Sequence, residues 1–138
     1  MQTEQPLQIE VATMLRRVDF QLTGDLPDAI LKRAFFCSYE IDRRYETDRI
    51  RPHLLIVSFQ ETSTNLEDLH SMAIGNLVPD SLTLVTATKS GRVVSRRTFT
   101  QLRVKNNGGS YAAVAGQEVP LQKFIFECYL AEAEFPKL

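Results

Sequence analysis

Seven consecutive residues, His53 to Phe59 (HLLIVSF), are apolar on both faces of an extended chain, and no other stretch constrains the fold as much. A strand of this kind must be covered on both sides. Upstream, Ile30 to Ile41 alternates in the manner of a half-buried strand. Phe35, Cys37, Tyr39 and Ile41 share one face, while Ser38, Glu40 and Asp42 share the other. Phe36 stands on the polar side, which predicts that this face is partly covered too. Between the two strands lie ten residues, Arg43 to Pro52, crowded with charge and without a glycine. Tight hairpins want Asn-Gly or Asp-Gly at the tip, so this connection is an arm and not a turn.

The remaining chain is dominated by strand signals. Leu15 to Leu22 reads as a strand, closed by Thr23-Gly24-Asp25 with Pro27 close behind. After Phe59 the period changes. Thr64 or Asn65 can cap a helix, Glu67 and Asp68 fall in its first turn, and Leu66, Leu69, Met72 and Ala73 recur at helical spacing before Asn76 and Pro79. Ser81 to Val104 predicts a hairpin with Lys89-Ser90-Gly91 at its tip, and 106–118 (NNGGSYAAVAGQE) predicts a flexible loop. A last strand over 119–135 puts Phe124, Phe126, Cys128 and Leu130 on one face, and Lys123, Ile125, Glu127 and Tyr129 on the other. The expected fold is mainly β: a small antiparallel β-barrel or sandwich of about six strands with one short helix packed on its side. No repeat or composition break divides the chain, so residues 1–138 form one domain, with 1–14 as an N-terminal extension. Its sheet edges need closure or a partner.

Composition excludes several classes. With 138 residues, 43% of them hydrophobic and 24% charged, the chain can bury its own core. A net charge of −1 and a pI of 6.1 supply no global field for nucleic acid or an anionic membrane. The apolar runs are far shorter than the roughly 18 residues of a membrane span, so no membrane insertion is expected. MQTEQPLQIE has neither a basic nor an apolar signal region, which predicts a cytoplasmic protein unless a dedicated machine exports it. Cys37 and Cys128 are too few for a disulfide framework and read as small buried hydrophobes.

Catalytic, cofactor and metal chemistry find little support. His53 opens a strand and His70 sits in the helix, and neither has a His or Cys at ligand spacing. Asn107-Gly108-Gly109-Ser110 suggests a phosphate cradle, but no helix follows and no Lys-Ser/Thr pair closes it. Glu132 and Glu134 share one strand face near the chain end and read as a solvated edge. Arg96-Arg97 and Arg103 to Lys105 form a basic stretch suited to charge pairing or solvent exposure. The arm is different, because Tyr45, Ile50 and Pro52 interleave with Arg43, Arg44, Glu46, Asp48, Arg49 and Arg51. Tyr and Arg are enriched where one protein surface meets another. No enzyme is expected. Arg43, Arg44, Tyr45, Glu46, Asp48, Arg49, Ile50 and Arg51 are the candidate subunit interface.

The order of these features resembles a known family. FFCSYEIDR, a charged arm ending Arg51-Pro52, and HLLIVSF follow one another as in the tube proteins of type VI secretion systems, the Hcp-like proteins of the TssD branch. Asn65-Leu66-Glu67-Asp68-Leu69, Thr98-Phe99-Thr100-Gln101-Leu102 and Pro120 to Phe126 continue the match, which covers Leu15 to Phe135. The resemblance implies a β-barrel with a helix on its side, related to phage tail-tube subunits. It implies homo-oligomerisation into hexameric rings that stack into the inner tube of a contractile injection machine. Sheath, spike and effector proteins are the partners it implies, with effectors carried in the lumen and the protein exported without a signal peptide. In that family the loop after the second strand reaches a neighbouring subunit or ring, which here is Arg43 to Pro52. A small β-barrel binding or accessory module for a peptide or small ligand is the alternative.

Overall fold

The computed structural model describes residues 19–41, 53–88 and 90–136. They form one six-stranded antiparallel sheet from β1 (Asp19–Gly24), β2 (Ala34–Ile41), β3 (His53–Gln60), β4 (Ser81–Ala87), β5 (Val93–Val114) and β6 (Gln117–Glu134). The spatial order is β1-β4-β5-β6-β3-β2, which makes the first two strands the edges. Two helices accompany the sheet, the single turn α1 (Asp28–Leu31) and α2 (Leu66–Ala73).

The fold is mainly β, as the alternation predicts, but among the described residues no ladder joins β1 to β2, so the sheet is open. It is nevertheless strongly curled. β2 and β5 are three ladders apart, roughly 14 Å in a flat sheet. Yet the rings of Tyr39 on β2 and Phe99 on β5 lie 5.7 Å apart across the concave face. The curl gathers Leu22 of β1, Leu55, Val57 and Phe59 of β3, Leu82 and Leu84 of β4, Phe99 of β5, and Phe124, Phe126 and Cys128 of β6 into one core. Leu69 and Met72 of α2 and Ile30 of α1 complete it. HLLIVSF is an internal strand next to the β2 edge, paired with β2 on one side and β6 on the other.

α2 is seated by Asn65, which is fully buried. The sequence suggests a helix cap, but no side-chain cap bond forms. Instead the Asn65 amide nitrogen donates to the carbonyls of Ala29 and Gln60, and its Oδ1 accepts from Thr62 N. One side chain therefore ties α1, the end of β3 and the start of α2 together. The helix ends at Gly75, whose φ of +84° is a conformation that glycine adopts without penalty. Gly75 N donates to Met72 O and Asn76 N to Ser71 O, the paired bonds of a Schellman motif.

Three expectations are corrected. The segment from Ile30 to Arg33 is not strand: α1 starts after Pro27, whose carbonyl oxygen accepts from both Ile30 N and Leu31 N. Phe35 does not share the core face of Cys37 and Tyr39, because a bulge between Ala34 and Phe36 turns it into a satellite cluster with Val114, Val119 and Leu121. The flexible loop expected over 106–118 is a continuation of β5 and β6. Pairing runs to Val114↔Gln117, and Ala115 and Gly116 both have positive φ, as a two-residue hairpin turn requires. Leu15 to Val18 of the first expected strand lie outside the described residues.

Candidate functional site

Arg43, Arg44, Tyr45, Glu46, Asp48, Arg49, Ile50 and Arg51 all lie outside the described residues. What the structure defines is the pair of strands that carries them. Ile41 and His53, the two ends of the arm, are ladder partners. The arm therefore leaves and re-enters the sheet at a single point. Asp19, where β1 begins, pairs with Ala87 near the β4–β5 hairpin, and Glu134 at the end of β6 pairs with Arg96. The arm, the N-terminal segment and the C-terminal end thus meet the sheet at one end, while α1, α2 and the Ala115-Gly116 turn close the other.

At the arm end the concave face turns polar. Register places Arg97 beside Leu84, and Ser95 beside Thr86, continuing the row of core residues that holds Phe99 and Leu82. The Arg97 guanidinium carbon lies 4.7 Å from the Tyr39 ring centroid and 5.2 Å from that of Phe135. Arg97 Nη1 donates to Ser95 Oγ at 2.7 Å, and the Ser95 and Thr86 hydroxyls are 2.6 Å apart. His53 packs edge-on to Phe99 at 6.5 Å, with Nδ1 buried and without a hydrogen-bond partner among the described residues. Burial holds its imidazole below the ordinary histidine range.

The expected basic stretch does not form a patch. Arg97 points into the concave face, Arg96 approaches Glu134 at 3.9 Å, and Arg103 grips Glu127. Arg103 Nε and Nη2 donate to the same Glu127 oxygen at 3.1 and 2.6 Å, and that carboxylate belongs to a residue only 5% exposed. Glu134 and Glu132 are exposed and stand opposite Arg96 and Thr98 on the neighbouring strand. His70 is exposed on α2. Sequence reasoning misses Arg97 by grouping it with Arg96. The signal is period 2: Ser95, Arg97 and Phe99 alternate together, so Arg97 shares the inward row.

Asn107-Gly108-Gly109-Ser110 lies in β5, not in a loop. With Asn106, Lys123 and Ile125 it lines a shallow groove of about 180 Å³. Burial pushes the thiols of Cys37 and Cys128 up to about 12, which suits the packing role expected of them. Among the described residues no group of three His, Cys, Asp or Glu side chains could hold a metal ion, and no helix is long and apolar enough to cross a membrane.

Comparisons with family models, curated proteins and solved structures found no match to this chain.

Proposed function

We propose that this chain is a structural subunit of the inner tube of a type VI secretion or related contractile injection system. In this reading the subunits assemble head to tail into hexameric rings, the rings stack, and effectors travel in the lumen. The observation that carries the proposal is the open, curled sheet. β1 and β2 end the strand order with no ladder between them among the described residues, and sheet edges of this kind call for closure or a partner. A head-to-tail contact between unlike surfaces closes into a ring when the rotation permits. The charged arm supports the same reading, because both of its ends are fixed by the Ile41↔His53 ladder and its mixed charges and apolar anchors suit a neighbouring subunit.

Native mass spectrometry and negative-stain imaging of the purified protein test this. Six-membered rings are the expected result, and a strictly monomeric protein at high concentration rejects it. Charge reversal at Arg49 and Arg51 together is expected to weaken ring formation or stacking while the monomer stays folded. The alternative, a small binding module, needs a ligand-sized apolar pocket.

A further inference from the structure

The concave face is apolar through most of its length and ends in one fixed cation. Arg97 is half-buried, its guanidinium lies against the rings of Tyr39 and Phe135, and Ser95 Oγ accepts one of its N–H bonds. Ser95 is itself held by Thr86. A guanidinium has five N–H donors in one plane. Among the described residues Ser95 is its one hydrogen-bond acceptor and no carboxylate pairs with it. The two neighbouring arginines on β5 do have acidic partners, Glu134 for Arg96 and Glu127 for Arg103. Arg97 is thus a preorganised charge, and among the described residues most of its donors are unspent.

We infer that Arg97, positioned by Tyr39, Phe135 and Ser95, is a recognition site for a carboxylate at the arm end of the concave face. A planar fork of N–H donors matches a carboxylate in bidentate geometry. A phosphate would call for further positive charge, and among the described residues the neighbouring cation on β5, Arg96, is directed to Glu134 instead. The rings of Tyr39 and Phe135 favour a carboxylate with an apolar neighbour. Such a group comes either from a small carboxylic acid or from an Asp or Glu side chain of a second copy of this chain. The inference stands apart from the tube reading, since a monomer that binds a free acid would satisfy it.

The test is to follow the Arg97 side-chain Nε–Hε resonance while titrating the full-length protein with benzoate. A parallel series raises the protein concentration alone, with sedimentation velocity on the same samples. Saturable movement of that resonance and of the Ser95 backbone amide with benzoate, the amide shift being lost in R97M and its affinity about tenfold weaker in R97K, supports a small-acid site. Movement with protein concentration, together with association lost in R97M, supports a second copy as the source. A resonance unmoved by both series overturns the proposal, and so does an R97M protein that binds benzoate and associates as the native chain does. Should R97M fail to fold, the native titration and the R97K and S95A variants decide alone.

Discussion

The Tyr39 and Phe99 rings meet at 5.7 Å although β6 and β3 separate their strands in the sheet. Phe99 is fully buried and also meets the edge of His53, so one ring from β5 holds the curl of β2 and β3 toward it. Replacing Phe99 by Ala is expected to cost about 3–5 kcal/mol, measured by urea unfolding. The same substitution should raise amide exchange in β2 before it does so in β4. Uniform loss of protection across the sheet would contradict the role given to this contact.

Asn65 joins three elements through one side chain. Asn65→Asp keeps the oxygen that accepts from Thr62 but loses the donor to Ala29 O and Gln60 O, and sets a charge among carbonyls. A loss of about 2–3 kcal/mol is expected, with Asn65→Asp at least as damaging as Asn65→Ala. Thermal unfolding of the two variants checks the order.

Glu127 depends on Arg103 for neutralisation. Arg103→Met leaves a buried carboxylate unpaired and should cost about 1–3 kcal/mol. Adding Glu127→Leu to that variant should recover most of the loss, because an apolar pair of similar size needs no charge compensation. A double-mutant cycle reads the coupling directly.

His53 gives the fold a pH dependence of definite sign. Its folded pKa is lowered by burial, so the unfolded chain takes up the proton first as pH falls. The stability tied to neutral His53 is therefore full above the unfolded value of about 6.5 and declines as pH drops below it. Melting temperatures from about pH 7.5 to about 5.5 should fall more steeply for the native protein than for His53→Phe. Equal slopes would remove His53 from the account.

The two thiols, Cys128 buried and Cys37 half-buried, make a simple prediction. With pKa values of about 12, Cys37 and Cys128 hold very little thiolate at about pH 8. Iodoacetamide should leave both unmodified in the folded protein and label both in denaturant, as counted by intact mass.

The parts of this fold legible in the sequence are those where pattern and tertiary environment agree. HLLIVSF is two-sided because Leu55, Val57 and Phe59 face the core while Leu54 and Ser58, at the alternate positions, are buried too, and Leu69 and Met72 mark the buried stripe of α2. The misreadings have local causes. Gly108 and Gly109 suggest a loop, but pairing with Lys123 and Gln122 of β6 holds them extended. The hairpin tip is hidden because Ala115 occupies a positive-φ position usually given to Asn, Asp or Gly. One extra residue at the β2 bulge sends Phe35 to the opposite side from the one its alternation implies. The candidate interface rests on residue types alone, since arms of this kind have no periodicity to place them. Arg97 is within reach of period 2, but a neighbouring arginine disguises it as surface charge.

β1 enters the sheet and β6 leaves it at the same end, whereas Ala115 and Gly116 form an exposed tight turn at the other. The fold is thus suited to circular permutation. A linker from the end of β6 to the start of β1, with the chain reopened between Ala115 and Gly116, would keep every ladder among the described residues and open the chain at the opposite pole. A fused reporter would then sit away from the arm, leaving that end clear for whatever it meets.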